Sequence, residues 1–386
     1  MDLSFSDEHR CYRADLRTFL ATHWTPSDAR DSGKVAAFRA LATQHGYLYR
    51  GIPKKFGGSE QPVDILRAQI IAEEFNRARA PKEVSGNGMS MLVPVLLELG
   101  TDWQKEHFIP QTLTGAFEWA QGYSEPGSGS DLASLRTTGE LVDGHWIING
   151  QKIWTTRAHQ SNYMFCLVRT EPGAPKHQGL SYILLDFRQP GITVRPLRQI
   201  SGESEFSEVF LDNVRAPADW IVGERGKGWE VSRVNLKHER ASVGSASRAT
   251  HLQHNLLKIA RQTMVNGRPA IEDPIIRDKL AILDGYVQAQ ICASHYQTTL
   301  AVSGESTGVL GLSNKLNNTN IAQLVSQIAS DILGDALLPM PAETGPAGPE
   351  KWNRQIMGSL GLSIAGGTSN IQRNIIAERG LGLPRE

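Results

Sequence analysis

The stretch Leu141–Gly150, LVDGHWIING, decides how the chain is built. Asp143-Gly144 lies between the apolar pair Leu141-Val142 and the run Trp146-Ile147-Ile148. Both turn positions tolerate positive φ, which a two-residue hairpin turn requires, so the segment predicts two antiparallel strands tightly joined. Further along, Tyr163–Val168, Tyr182–Phe187, Ile192–Leu197 and Glu208–Leu211 have the composition of strands bounded by turn residues. A parallel sheet would need a helix between successive strands, and these gaps leave no room for one. Residues 118–228 are therefore expected to form a small antiparallel sandwich or barrel.

Outward from this block the periodicity is helical on both sides. Tyr12, Leu16, Phe19 and Leu20 share one helix face, and Ile65, Ala68, Ala72 and Phe75 share another. Between them Gly51–Gly58, GIPKKFGG, reads as a loop. A third helix is expected over Met91–Leu99, followed by Asp102–Pro110. Helical spacing returns after Gly226-Lys227-Gly228. Asp273-Pro274 has the form of an N-cap followed by proline at the first helical position, and Ile276, Leu280, Leu283 and Val287 make one apolar stripe. Pro339–Pro349 reads as a proline- and glycine-rich loop. A last helix is expected from Ser369 to Arg379, ending at Gly380. The predicted organisation is an α+β multidomain chain: an N-terminal helical domain over 1–117, a middle antiparallel β domain over 118–228, and a C-terminal helical domain over 229–386.

Forty basic and forty acidic side chains leave no net charge, which excludes a reader of nucleic-acid backbones. The three cysteines, Cys11, Cys166 and Cys292, are far apart, which points to a reducing compartment rather than a disulfide framework. The opening MDLSFSDEHR is acidic and polar, unlike a secretory signal. The longest apolar stretch, Met91–Leu99, contains Pro94 and is too short to span a bilayer. The expectation is a soluble, cytoplasmic enzyme acting on a small molecule, with neither nucleic acid nor membrane as partner. No HExxH, GxSxG or Walker loop is present, and His251/His254 read as surface residues, so no metal is expected.

Four local signals bear on chemistry. Tyr123–Asp131, YSEPGSGSD, is a glycine-serine loop whose backbone N–H groups could converge on an anion or a polar ring edge, with Ser124, Ser128 and Ser130 as added donors. A plain solvent-exposed connection explains it equally well. Trp154-Thr155-Thr156 offers either a core tryptophan or a ring that backs a planar cofactor, with a threonine at its edge. Lys237-His238-Glu239-Arg240 is either a solvated helix face or the site of a glutamate whose burial would make it a general base. Ala365–Gln372, AGGTSNIQ, is either a capped helix after a turn or a close backbone approach whose helix start suits a pyrophosphate.

In this order and spacing the four signals resemble the acyl-CoA dehydrogenase family. The likeness runs nearly end to end, through the N-terminal helix, YSEPGSGSD, NGQKIWTT, FSEVFLDNVRAP with GERGKGW, and GGTSNIQRNIIAERGLGLP. The resemblance implies an N-terminal α domain, a middle β domain and a C-terminal four-helix bundle. It implies FAD as cofactor, and α,β-dehydrogenation of an acyl-CoA thioester to the 2-enoyl-CoA. A carboxylate takes the α-proton, hydride leaves the β-carbon for flavin N5, and hydrogen bonds hold the thioester carbonyl as enolate charge develops. Carried over by motif, the flavin contacts fall on Tyr123, Ser124, Trp154 and Thr156, and on Thr368 and Asn370 for its ADP portion. Ser130 matches a serine that touches the pantetheine arm.

In the commonest members of the family a glutamate base directly precedes the terminal GT motif. Here that position is Gly366. A minority branch, the isovaleryl- and long-chain-type enzymes, carries the glutamate on the first long C-terminal helix, directly before an arginine. Glu239-Arg240 matches that arrangement, so the resemblance assigns Glu239 as base, places Arg240 with the substrate-binding residues, and leaves Gly366 to offer a backbone N–H to the thioester.

The family's Arg-x-x-Phe-Gly, which reaches the flavin diphosphate of a neighbouring subunit from the next helix, corresponds to Thr263–Gly267, TMVNG, with Arg261 or Arg268 as substitutes. Asp331 and Asp335 replace a glutamine and a glycine, and carboxylates there would repel a diphosphate. These departures resemble the branch acting on steroid side chains and other bulky or branched acyl-CoAs, some of whose members are heterotetramers. The implied partners are an acyl-CoA, an electron-transfer flavoprotein or equivalent acceptor, and further subunits in a homodimer, homotetramer or heterotetramer. Two alternatives stay open: one subunit of a heteromeric dehydrogenase with a divided flavin site, or a flavin monooxygenase or oxidase on the same fold.

Overall fold

The computed structural model describes residues 6–243, 246–338 and 351–384, and within these the side chains of all but 237–243 and 301–302. By internal contact the chain divides into two compact units, Met1–Trp119 with Ser161–Tyr163, and Ala120–Gln160 with Met164–Glu386.

The first unit is helical: α1 (Asp7–His23), α2 (Ser32–Gln44), α3 (Ile65–Ala78), α4 (Val93–Leu99) and α5 (Asp102–Thr114). The side chain of Ser6 caps α1, which buries Leu16, Phe19 and Leu20 as its spacing predicted. In α3 the buried residues are Ile70, Ile71, Glu74 and Phe75, whereas Ala68 and Ala72 are exposed. The predicted face is thus rotated, and Glu74 is the reason. Its carboxylate accepts from Arg13 at 3.0 Å and Arg17 at 2.9 Å, both on α1, and from Arg77 at 2.7 Å. Burial pushes the Glu74 carboxyl up, but Arg17, Arg77 and Arg13 outweigh it and bring it down to about 2. The loop Gly51–Gly58 contains one 3-10 turn, Lys54–Phe56, that buries Phe56. A π turn, Gly88–Leu92, leads into α4, and Thr101 with Gln104 forms a capping box on α5.

The second unit opens with β1 (Trp119–Gly122), β2 (Thr138–Val142), β3 (His145–Thr156), β4 (Tyr163–Arg169), β5 (Leu180–Asp186), β6 (Ile192–Leu197), β7 (Phe206–Pro217) and β8 (Ile221–Val222). They form one sheet in the order β6-β7-β3-β2-β4-β5-β8, with β1 beside β4. The β2–β3 hairpin turns at Asp143-Gly144, with φ of +47° and +73°, and pairs Val142 with His145. The expected all-antiparallel arrangement needs one correction. β2 meets β4 in parallel at the single pair Thr138 and Arg169, which needs no helix because β3 first runs back antiparallel along β2 and so returns the chain to the end where β4 starts. β4 and β5 are buried along six of their seven residues and form the apolar centre with Trp146, Ile148, Val209 and Leu211.

The helices that follow are α6 (Gly228–Val243), α7 (Ala246–Gln262), α8 (Pro274–Val302), α9 (Gly308–Leu333), α10 (Lys351–Leu362) and α11 (Ser369–Ile375), the last continued by a π turn over Ile376–Gly380. α9 is the hub, packing against α6, α7, α8, α10 and α11. Ile276, Leu280, Leu283 and Val287 all enter this core, as their stripe predicted. Asp273 caps α8, accepting from the N–H groups of Ile275 and Ile276 at 3.0 and 3.2 Å. The Gly226–Gly228 motif has a packing role: a Cβ on Gly228 would lie 2.5 Å from the Ser181 carbonyl carbon, so α6 starts directly against β5. The proline-rich Pro339–Pro349 lies outside the described residues. Among the described residues no helix is long and apolar enough to cross a membrane.

Candidate active site

The loop Tyr123–Asp131 leaves β1 and is fixed from beneath by an ion pair. Lys152, on β3, is 0% exposed. Its Nζ donates to Glu125 Oε1 at 2.8 Å, the Leu167 carbonyl at 2.8 Å and the Tyr123 carbonyl at 3.3 Å. Glu125 also accepts the N–H groups of Arg136 at 2.6 Å and Thr137 at 2.9 Å. Burial pushes the Glu125 carboxyl up, but the Lys152 charge and these hydrogen bonds prevail and hold it below the usual range. Glu125 and Ser128 close the intervening turn through N–H to carbonyl bonds of 2.9 and 3.0 Å.

Within this loop the predicted donors separate. Ser128 is buried and its hydroxyl donates to the carbonyls of Asp131 and Leu132, so it serves the loop itself. Ser130 is exposed and Ser124 half-buried. The ring of Tyr123 is buried in the core, edge-on to Phe165 and Tyr182, and its carbonyl is taken by Lys152. The Ile153 N–H donates to the Ser124 carbonyl at 2.9 Å, which brings the loop and the Trp154-Thr155-Thr156 segment together.

Trp154 resolves its two readings. It is 58% exposed and holds φ of +59°, inside a bulge of β3 against β7 between Lys152 and Thr155. A bulky residue at positive φ is an outlier, and such strain gathers at functional positions. The bulge turns the indole out of the core, where Phe206 meets it edge-on at 6.1 Å. Beside it the Thr155 hydroxyl is buried with no hydrogen-bond partner among the described residues, and Thr156 is half-buried. An outward indole beside polar threonines suits a flat ring with an apolar face and polar edges, so these residues fit the isoalloxazine of a flavin.

The glycine turn before α11 carries Gly366, Thr368 and Asn370. Gly366 and Gly367 have φ of +64° and +90°, a backbone that L side chains rarely adopt. Thr368 is the N-cap, accepting from the Ile371 N–H at 3.2 Å, and Asn370 Oδ1 accepts from Arg373 at 3.1 Å. Two side chains that the sequence did not single out hold this turn. Gln372 Nε2 donates to the Gly366 carbonyl at 3.1 Å, and Lys315 Nζ, from α9, donates to the Gly367 carbonyl at 2.8 Å.

Glu239 and Arg240 belong to α6, and their side chains lie outside the described ones. One turn earlier, Asn235 is fully buried, and neither atom of its amide has a partner among the described residues.

The departures take definite form. Met264-Val265 and Arg268-Pro269 pair as a short hairpin, β9 and β10, turning at Asn266-Gly267 with φ of +49° and +77°. TMVNG therefore ends α7 and enters a turn. Asp331 is not a free carboxylate, because Lys279 Nζ lies 2.7 Å from it. Among the described residues no group of side chains could hold a metal ion.

A sheet carrying a loop and an outward indole, with a glycine turn in the helical segment, is compatible with a flavin-dependent oxidoreductase. Comparison with known proteins narrows the class. Residues 6–116, 120–214 and 226–381 match, in turn, the N-terminal, middle and C-terminal domain models of acyl-CoA dehydrogenase. The chain belongs to the acyl-CoA dehydrogenase family and is an FAD-dependent oxidoreductase. It is 37% identical over 399 residues to acyl-CoA dehydrogenase IpdE1 of Mycolicibacterium smegmatis, spanning 97% of this chain and 98% of that protein. Its fold is similar to the ChsE4-ChsE5 complex from Mycobacterium tuberculosis, with TM-score 0.78, 28% identity and full coverage of both chains. The Tcur3481-Tcur3483 steroid ACAD gives the same TM-score, identity and coverage.

Proposed function

We propose that this enzyme converts a bulky or branched acyl-CoA, of the steroid side-chain kind, to its 2-enoyl-CoA, with Glu239 as the base. The observation that carries the base assignment is Gly366. It stands where the commoner arrangement has its carboxylate, it offers no acid-base group, and its carbonyl is taken by Gln372. The proton must then be taken from elsewhere, and Glu239-Arg240 on α6 supplies the alternative carboxylate. The buried amide of Asn235, which has no partner among the described residues and lies four residues before Glu239 and so on the same helix face, supports a polar site on that face.

In this reading Glu239 removes the α-proton. The Gly366 N–H donates to the thioester carbonyl and stabilises the enolate charge that develops on its oxygen. Ser130 and Arg240 bind the CoA portion. Trp154 backs the flat ring, Thr156 and the Tyr123-Ser124 backbone bond its edge, and Thr368 with Asn370 meets its ADP portion. Bound FAD supplies the acceptor for the β-hydride, and an electron-transfer flavoprotein or equivalent reoxidises it. The preference for bulky acyl groups rests on the likeness to the steroid enzyme. We take the domain limits as 1–117, 118–228 and 229–386; the matched segments run over 6–116, 120–214 and 226–381.

The test is Glu239→Gln. Anaerobic titration with an acyl-CoA panel bleaches the wild-type flavin, with bulky acyl groups giving the larger rates. The variant retains FAD and is not bleached. Near-normal turnover in Glu239→Gln would overturn the assignment.

A second reading is favoured by TMVNG, which lacks the family's arginine and phenylalanine, and by the two-chain names of both similar structures. It makes this chain one subunit of a heteromer with a divided flavin site. The flavin-to-chain ratio of the protein expressed alone separates the two: one FAD per chain supports the homo-oligomer, and a clearly lower ratio supports the heteromer.

A further inference from the structure

Gly366 and Gly367 are consecutive, both at positive φ, and glycine peptides are the ones most free to flip. Each carbonyl is nonetheless tied down by a buried donor on a different helix. Lys315, 2% exposed on α9, holds the Gly367 carbonyl at 2.8 Å. Gln372, 1% exposed on α11, holds the Gly366 carbonyl at 3.1 Å. A Cβ on Gly367 would lie 2.7 Å from Gln372 Nε2, so the turn is packed down onto the amide that binds it. A buried lysine is costly to place and is usually matched to a carboxylate. Here one of its bonds goes to the backbone of a turn, 52 residues away in sequence.

We propose that Lys315 and Gln372 are positioning residues that hold the two peptides directly after Gly366, and so fix the turn from which the Gly366 N–H is aimed at the thioester carbonyl. The proposal rests on the reading of Gly366 given above. A donor that is preorganised costs nothing to reorient when charge develops on the carbonyl oxygen, whereas a turn whose next two peptides were free to flip would leave the backbone at Gly366 unanchored on that side. Lys315 touches neither thioester nor flavin in this account. Its effect passes through the Gly367 carbonyl.

The experiment uses full-length FAD-loaded protein and a 3-thiaacyl-CoA, a non-reducible ligand whose enolate form gives a long-wavelength charge-transfer band with the flavin. The pH midpoint of that band reports how strongly the carbonyl is hydrogen-bonded. Hydrogen exchange of residues 365–369 reports the turn itself. In Lys315→Met we expect faster exchange in the turn, a band midpoint moved to higher pH, and flavin reduction by acyl-CoA slowed about tenfold, with ligand affinity within about twofold of wild type. Gln372→Met should move the same readings in the same direction, and it decides the matter if Lys315→Met does not fold. Faster exchange with an unmoved midpoint would reduce the clamp to a structural role and overturn the proposal, as would no change at all. A wild-type protein that never forms the band would overturn the reading of Gly366 itself, and the proposal with it.

Discussion

Lys152 Nζ and Glu125 Oε1 stand 2.8 Å apart with both side chains closed off from solvent. One residue comes from the NGQKIWTT strand and the other from the YSEPGSGSD loop, so the pair joins the two motifs from beneath. Because the remaining capacity of both groups is met by backbone, the pair is satisfied as a unit. Removal of one partner strands the other in the core.

Lys152→Met should therefore destabilise the β domain by about 3–5 kcal/mol. The double variant Lys152→Met/Glu125→Gln should recover part of that loss. Denaturant midpoints of the four proteins form the check, and additive single effects with no recovery would contradict it.

Trp154→Ala should behave differently. The indole is outside the core, so the melting temperature of FAD-free protein should change little. FAD retention on gel filtration should fall, and the flavin absorption maximum should shift. Unchanged FAD affinity would remove Trp154 from the flavin site.

Glu74 sets an acid limit on the helical unit. The three arginines bring the pKa of its folded carboxyl down to about 2, against an ordinary value of 4.5 in the unfolded chain. A depressed folded value means that the stabilisation is complete above the unfolded value and is lost as pH falls from about 4.5 towards 2. Glu74→Gln should be less stable at neutral pH, and its stability should decline less steeply through that window. Parallel wild-type and mutant curves of stability against pH would refute the assignment.

What could be read from the sequence was local. Asp143-Gly144 specified its hairpin because the demand for positive φ falls on two adjacent residues, and Phe206–Pro217 formed the strand that its motif outlined. The apolar stripe of α8 was legible for the same reason. Lys152, Glu74 and Lys315 were not, because a charged residue is read as solvated unless its partner is known. Their partners lie 27, 57 and 52 positions away. Ala68 and Ala72 were misplaced by the same omission, since only the arginines of α1 explain why α3 turns Glu74 inward. Asn266-Gly267 carries a hairpin signal, but flanking strands of two residues are too short to show alternation. At the candidate site, motif matching picked out the loop, the indole and the glycine turn as candidates. It did not show that the Tyr123 ring is buried in the core, or that Ser128 is spent inside its own loop.

The left-handed backbone at Gly366 has a consequence for how such enzymes diverge. A glutamate restored there would have to hold φ near +64°, at roughly 1–2 kcal/mol for an L residue. It would also have to keep a turn whose carbonyls are bound by Gln372 and Lys315. On the proposed reading, in which Glu239 is the base, moving that role to this turn would require the turn to be rebuilt before the new carboxylate could serve.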